Sequence, residues 1–335
     1  MNPLPHLQVT DLKIFFQTER GLVKAVDGVS FSLSAGETLG IVGESGCGKS
    51  VTVLSILRLL PHPEGKIAAG KIYYNSPEGT RIDITAQEPN GREMRCLRGN
   101  EIAIIFQEPM TSLNPLHTIG RQITESIRLH KHIGSKDSRQ LAIEMLRRVE
   151  LPNPERLVDE YPHQMSGGMC QRAMISMALA CGPRLLIADE PTTALDVTIE
   201  AQILSLIRDI QDEYGMSLLF ITHDLGVIGE MADSVMVMYL GKVVEKATTR
   251  EIFREPAHPY TKGLLGARPR IGKRQKLVSI DGTIPDLFDR PKGCGFVNRC
   301  PQAKKLCREK SPPLSEIESN HFVTCWIYGE HGSVS

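Results

Sequence analysis

Residues 43–50 carry the clearest chemistry in this 335-residue chain. They read GESGCGKS, with Gly43 and Gly48 at the first and sixth positions and Lys49 and Ser50 at the last two. Glycines let a loop turn several backbone N–H groups toward one polyphosphate, and a helix that follows adds its positive end. In the pattern G-x-x-x-x-G-K-[ST] the lysine reaches the β- and γ-phosphates, and the serine hydroxyl is a ligand for Mg²⁺. The segment therefore predicts a nucleotide site.

Three further segments end in polar residues that suit the same chemistry. Each is an apolar run typical of a buried parallel strand, and the runs are Glu101–Phe106, Leu185–Ala188 and Ser217–Thr222. Gln107, Asp189-Glu190 and His223 follow them. Because ligands bind at the carboxyl ends of strands in open α/β sheets, we expect these residues at one edge, beside the phosphate loop. Asp189 could hold Mg²⁺ through its waters, and Glu190 could polarise a water for in-line attack.

A fourth segment, Ser166-Gly167-Gly168, opens a long amphipathic stretch. A serine and two glycines at the start of a helix suit an anion, because the first N–H groups of a helix have no partner within it.

Strands and helices must position these groups, and the local sequence predicts where these elements lie. The apolar run Leu39–Val42 precedes the phosphate loop, and Val51–Leu57 follows it with helical spacing. The alternative, a glycine-rich turn before an ordinary helix, is disfavoured because all eight positions and both flanks agree. Residues 7–38 alternate as antiparallel strands, and residues 116–150 show helical stripes such as Ile119, Ile123 and Ile127. The sequence predicts an α/β fold.

Composition excludes several function classes. The formal net charge is zero and 41% of residues are hydrophobic, so no basic field would attract nucleic acid. The N-terminus lacks the basic and apolar regions of a signal peptide, and no apolar run approaches the roughly 20 residues that span a bilayer. If the protein works at a membrane, other chains should span it. We expect reduced thiols in a cytoplasm.

At this point the chain resembles the nucleotide-binding subunits of ABC transporters, over roughly residues 7–250. Gly43–Ser50 matches the Walker A loop, Gln107 the Q-loop glutamine, and Met165–Met169 the signature motif, with methionines where Leu and Gln are common. Leu185–Asp189 matches Walker B, Glu190 the catalytic glutamate, Asp196 the D-loop, and His223 the switch histidine. The resemblance implies a P-loop ABC ATPase: a RecA-like core with an antiparallel β subdomain and a helical subdomain at about 108–175.

The resemblance also implies the roles of individual residues. Adenine would stack on Phe16, which we favour over Phe15. The nucleotide-binding positions of the loop would be Gly43, Ser45, Gly46, Gly48, Lys49, Ser50 and Val51. The Mg²⁺ ligands would be Ser50, Gln107 and Asp189. Glu190, His223 and Gln107 would be catalytic. Because the family forms head-to-tail dimers, the signature residues Ser166, Gly167 and Gly168 would serve ATP bound by a partner. Asp196 of the D-loop would also be a nucleotide-binding residue.

The subfamily that the chain resembles is the peptide and nickel importers. Residues 106–115 (FQEPMTSLNP), Tyr161–Gln164 and His258–Thr261 carry this similarity. It implies a peripheral subunit on the cytoplasmic face of the membrane that energises dipeptide or oligopeptide uptake. Its partners would be a second, non-identical ATPase, two transmembrane permeases and, indirectly, an external peptide-binding protein. The alternatives are a nickel importer ATPase of the same family and a soluble ABC ATPase that acts in nucleic-acid repair or on ribosomes.

The C-terminal 74 residues, 262–335, are predicted to form an extension to an ATPase domain of residues 1–261. Cys294, Cys300, Cys307 and Cys325 lie within it at a spacing of C-x5-C-x6-C-x17-C. This spacing lacks the paired C-x2-C knuckles of structural zinc sites, and thiolates also suit iron–sulfur clusters. In similar peptide-import ATPases the extension carries a 4Fe–4S cluster on such cysteines. We therefore expect a 4Fe–4S cluster, with zinc or no metal as the alternatives.

Overall fold

The computed structural model describes residues 4–76, 79–193, 195–267 and 280–329. Its contacts divide the chain into two compact units. The first unit comprises Met1–Ser32, Thr38–Thr85 and Thr222–Ser335, and the second comprises Leu33–Glu37 and Ala86–Ile221.

Strands and helices alternate along most of the chain. The strands are β1 (Leu7–Thr18), β2 (Gly21–Leu33), β3 (Thr38–Val42), β4 (Gly65–Asn75), β5 (Arg81–Asp83), β6 (Ile102–Ile105), β7 (Leu185–Asp189), β8 (Ser217–Ile221), β9 (Ser234–Tyr239), β10 (Lys242–Thr248), β11 (Leu314–Glu318) and β12 (His321–Thr324). The helices are α1 (Lys49–Ile56), α2 (Arg92–Leu97), α3 (Pro109–Ser112), α4 (Ile119–Lys131), α5 (Ser135–Arg148), α6 (Pro154–Leu157), α7 (Gly167–Leu179), α8 (Val197–Tyr214), α9 (Leu225–Met231), α10 (Thr249–Arg254), α11 (Pro259–Gly266) and α12 (Lys305–Glu309).

An antiparallel sheet of order β2-β1-β4-β5 lies in the first unit. The first of the strands predicted within residues 7–38 is β1, and it contains a bulge. Asp11 adopts a φ of 45°, and the register with β4 shifts between Thr10 and Lys13 and again between Lys13 and Ile14. Gly70 faces this bulge, where a Cβ would lie 2.4 Å from the Asp11 carbonyl oxygen. The bulge therefore needs glycine on the opposite strand.

The first unit also contains the strand run β11-β12-β10-β9-β3. Strand β3 runs parallel to β9, with Leu39 opposite Ser234, and β9 and β10 form an antiparallel pair. Strand β12 then pairs antiparallel with β10, placing Val323 opposite Glu245. Two strands from beyond residue 261 therefore extend the sheet that carries the phosphate loop. The predicted boundary between an ATPase domain and an extension at residue 261 stays a prediction.

The second unit contains the strand run β8-β7-β6, and both of its pairings are parallel. Every residue of β7 and of β8 is buried, which explains their unbroken apolar sequences. Helices α4, α5 and α7 contact one another beside these strands. Ile119, Ile123 and Ile127 are buried as their spacing predicts. The α/β fold with an antiparallel sheet and a helical part is thus confirmed.

Candidate nucleotide site

The phosphate loop connects the end of β3 to the start of α1, which is the predicted strand–loop–helix context. Gly43 and Gly48 have φ values of 155° and 100°. A Cβ at Gly43 would lie 2.3 Å from the Met238 carbonyl oxygen, and one at Gly48 would lie 2.6 Å from that of Ala25. Both glycines are therefore required by close backbone packing as well as by conformation.

Lys49 is buried at the N-terminal end of α1, and the loop itself holds its amino group. Lys49 Nζ donates to the carbonyl oxygens of Gly43 at 2.7 Å and Glu44 at 3.3 Å. The lysine charge thus lies over the loop where phosphate oxygens would be bound.

Glu44 occupies a variable position of the motif, and the structure anchors each of its polar groups. Its N–H donates to the Tyr260 hydroxyl at 2.9 Å, and its carboxylate accepts two hydrogen bonds from Arg299 at 2.6 and 2.9 Å. The hydrogen bond to Glu44 is the main reason that the pKa of Arg299 is raised above its usual value. Burial, foremost, raises the pKa of Tyr260 above its usual range. Local motif analysis missed these partners because they lie more than 200 residues away in sequence.

The predicted carboxylates lie in the second unit. Asp189 is buried at the end of β7. Glu190 follows with a φ of 48°, a left-handed conformation that is costly for a non-glycine residue, and its N–H donates to the Ile221 carbonyl at 2.9 Å. Glu190 Oε2 accepts hydrogen bonds from Gln107 Nε2 at 3.1 Å and Thr193 Oγ1 at 2.9 Å. The structure thus brings Gln107 and Glu190 together, and it adds Thr193, which sequence reasoning missed.

Ser166 and Asp196 are helix N-caps in the second unit. Ser166 Oγ accepts from the Met169 N–H at the start of α7, where Gly167 and Gly168 form the first turn. Asp196 Oδ1 accepts from the N–H groups of Thr198 and Ile199 at the start of α8. The contact of Ser166 with a partner's ATP and the nucleotide-binding role of Asp196 stay predictions.

His223 and Phe16 belong to the first unit. His223 is exposed just after Thr222, and its predicted action with Glu190 stays a prediction. Phe16 is half-buried on β1, and a Cβ on Gly65 would come within 2.7 Å of its ring. One part of this ring therefore packs on β4. Stacking of adenine on Phe16 also stays a prediction.

The four cysteines of the extension line one small enclosed cavity, together with His258 and Trp326. The Lys304 N–H donates a hydrogen bond to Cys307 Sγ at 3.4 Å. Burial is the main reason that the pKa of Cys294 is raised to about 11 and that the pKa values of Cys300 and Cys325 are also raised. Within the part of the chain that the structure describes, no group of three or more His, Cys, Asp or Glu side chains meets metal-binding geometry. The four thiols nevertheless line the same cavity.

No helix among the described residues is both long enough and apolar enough to cross a membrane.

Comparison with known proteins identifies the families to which these features belong. The ABC transporter family matches residues 26–193, and the family described as "Oligopeptide/dipeptide transporter, C-terminal region" matches residues 244–307. A probable peptide ABC transporter ATP-binding protein of Sinorhizobium fredii is 52% identical over 97% of this chain and 95% of its own length. The oligopeptide transport ATP-binding protein AppD of Bacillus subtilis is 49% identical over 98% of both chains.

Solved structures agree with this relationship. A structure described as a dimeric post-hydrolysis state of the ATP-binding cassette MJ0796, bound to ADP and Pi, superimposes with a TM-score of 0.64. It is 26% identical and covers 73% of this chain and 99% of its own. The chain therefore belongs to the ATP-hydrolysing subunits of ABC transporters, in the group that carries the oligopeptide/dipeptide C-terminal region.

Proposed function

We propose that this chain hydrolyses ATP to drive uptake of dipeptides or oligopeptides through permease partners. The observation that carries the proposal is the union of an ABC ATPase region with a C-terminal region of the oligopeptide/dipeptide transporter type. The names of similar proteins, among them the dipeptide transport protein DppD of Bacillus subtilis at 48% identity, support peptides as the solute.

The test is an uptake assay in a host from which the gene has been deleted. Uptake of labelled dipeptide or oligopeptide should be lost, and wild-type protein but not the Glu190→Gln variant should restore it. Loss of nickel uptake alone would assign the nickel alternative. Unchanged uptake of all three, with recovery of the tagged chain on ribosomes or DNA, would favour a non-transport ATPase.

ATP is proposed to bind with its β- and γ-phosphates on residues 43–50 and its adenine on Phe16. Lys49 would transfer its hydrogen bonds from the loop carbonyls to phosphate oxygens. Ser50, Gln107 and Asp189 would hold Mg²⁺, because hydroxyl, amide and carboxylate oxygens are the hard donors that this ion prefers. The ion would supply positive charge that offsets the phosphates.

Glu190 is proposed to polarise the attacking water. Its carboxylate is oriented by Gln107 and Thr193, which both donate hydrogen bonds to Oε2. His223 would hold the water relative to the γ-phosphate. Catalysis would then consist mainly of positioning and electrostatic stabilisation.

Ser166, Gly167, Gly168 and Asp196 are proposed to complete an ATP site on a second, non-identical ATPase in a head-to-tail dimer. The chain alone should then hydrolyse ATP slowly, and the companion subunit should raise its turnover. Ser166→Arg should abolish that increase while leaving nucleotide binding by the isolated chain intact. A fully active mixed complex with Ser166→Arg would refute the composite site.

The assembly is proposed to include two transmembrane permeases and to receive solute from an external peptide-binding protein. The chain would then be a peripheral protein on the cytoplasmic face of the membrane. Co-purification of permease subunits with the tagged chain from detergent-solubilised cells would test this arrangement.

Cys294, Cys300, Cys307 and Cys325 are proposed to hold one 4Fe–4S cluster, with zinc as the alternative. Two observations fit: the four thiols line one cavity, and Cys307 Sγ accepts a hydrogen bond from the Lys304 N–H at 3.4 Å, a contact that stabilises a thiolate ligand. A cluster would supply a covalent cross-link for a segment with a small apolar core.

Anaerobically purified protein should be brown, with about four iron and four sulfide ions per chain. Replacing any one cysteine by Ser should bleach it and expose the extension to protease. Colourless protein with one zinc ion would assign the alternative, and metal-free protein with a protease-resistant extension would refute both.

A further inference from the structure

An ion pair joins the phosphate loop to the cysteine-rich extension, defined here as residues 280–329. Arg299 Nη1 and Nη2 donate to the two carboxylate oxygens of Glu44 at 2.6 and 2.9 Å. The Arg299 side chain is only 5% exposed, and its remaining hydrogen bonds go to the Tyr239 hydroxyl and to the carbonyls of Ile280 and Asp281. Two-point contacts of this kind in a desolvated setting are among the stronger protein hydrogen bonds.

A second route joins the same loop residue to the extension through aromatic rings. The Tyr260 hydroxyl holds the Glu44 N–H, and the Tyr260 ring lies 5.4 Å from that of Phe296. Tyr239 packs on both rings, at 4.7 and 5.3 Å. The backbone and side chain of Glu44 are thus both held by groups that the extension contacts.

An acidic side chain is an unusual neighbour for a bound polyphosphate, because like charges at this range repel. Arg299 offsets that charge and fixes it in one place. A loop held in one conformation also loses less entropy when it binds nucleotide.

We propose that Arg299 is a positioning residue of the nucleotide site, which cancels the charge of Glu44 and thereby makes ATP affinity depend on the folded extension. This inference rests on the phosphate-loop assignment of the proposed function. Arg299 itself need not touch the nucleotide.

The test compares nucleotide affinity among variants of the full-length chain, using a fluorescent ADP analogue with Mg²⁺. Arg299→Ala should raise the Kd of the analogue roughly tenfold, because the uncompensated Glu44 charge would repel the nucleotide phosphates. The Glu44→Gln/Arg299→Ala double variant should recover affinity to within about threefold of wild type, because it removes the uncompensated charge. Raising the ionic strength should reduce the difference in Kd between Arg299→Ala and wild type, because salt screens the Glu44 charge.

Arg139→Ala is the matched control, because Arg139 also makes a two-point pair, with Asp159 at 2.8 and 2.8 Å. This control should bind the analogue as wild type does. An unchanged Kd in Arg299→Ala would overturn the proposal. An equally raised Kd in Arg299→Ala and in the double variant would also overturn the proposal. This holds even where the extension has loosened, because the two variants differ only in the charge of residue 44.

The Lys49→Ala variant distinguishes a failure of this inference from a failure of the phosphate-loop assignment on which it rests. If Lys49→Ala binds the analogue as wild type does, the phosphate-loop assignment itself is wrong. If Lys49→Ala loses binding while Arg299→Ala keeps it, the assignment stands and only the role of Arg299 is refuted.

Discussion

Replacing Glu245 by Ala should release the extension from the sheet that carries the phosphate loop. Glu245 lies on β10 and its side chain is fully buried. Its carboxyl group accepts the backbone N–H groups of Ala257 at 2.7 Å and His258 at 2.9 Å, and it pairs with His321 Nε2 at 2.8 Å. One side chain thus joins the start of α11 to β12.

The expected loss follows from the groups left without partners. A buried donor without an acceptor costs about 1–3 kcal/mol, so the N–H groups of Ala257 and His258 together predict a loss of about 2–6 kcal/mol in the free energy of unfolding. Glu245→Gln retains one carbonyl oxygen and should lose about half as much.

The assay is urea unfolding followed by two signals. Trp326 is the only tryptophan of the chain and lies in the extension, so its emission reports the extension, while circular dichroism reports the whole protein. In Glu245→Ala the Trp326 transition should move to lower urea and separate from the dichroism transition. Glu316→Ala is the control, because Glu316 is exposed and accepts one N–H, from Asn320 at 3.0 Å. A Glu245→Ala protein within about 0.5 kcal/mol of wild type would refute this reasoning.

Three further outcomes are expected at the nucleotide site. Glu190→Gln should bind ATP normally and hydrolyse it about 10²–10⁴-fold more slowly in single-turnover measurements, as loss of a general base does; a wild-type rate would contradict the role of Glu190. Thr193→Ala should lower kcat a few-fold without raising the Kd for ATP, because it removes a hydrogen bond that orients Glu190; an altered Kd with normal kcat would argue against it. Gly48→Ala should abolish binding of the fluorescent ADP analogue, because its Cβ would meet the Ala25 carbonyl at 2.6 Å; retained binding would show that the loop can rearrange.

The parts of the site that sequence predicted are those with local signals. Gly43, Gly48 and Lys49 are recognisable because strand, turn and helix must follow one another within about 20 residues. Gln107 and Glu190 could be placed together because parallel strands deliver their carboxyl ends to one edge.

Other contacts had no local signal. Glu44 and Arg299 are 255 residues apart, and Glu245 and His321 are 76 apart. Strands β11 and β12 were also not predicted, since a short antiparallel pair with few large apolar residues is stabilised by the strand it joins. Nothing in the sequence distinguishes Thr193 from other turn residues, and its role follows only from its hydrogen bond to Glu190. Such contacts depend on tertiary packing, which periodicity does not encode.

The pairing of β12 with β10 has a consequence for how this protein stays dispersed at high concentration. Without β12, the outer side of β10 would present unpaired N–H and C=O groups along Val244–Ala247, a template for adding a strand from another molecule. The strand that becomes outermost instead, β11, is five residues long, follows Pro312 and Pro313, and exposes Glu316 and Glu318. Short length, proline and like charge all discourage edge-to-edge association. A chain shortened to residue 261 for crystallisation should therefore aggregate even where its nucleotide motifs are intact.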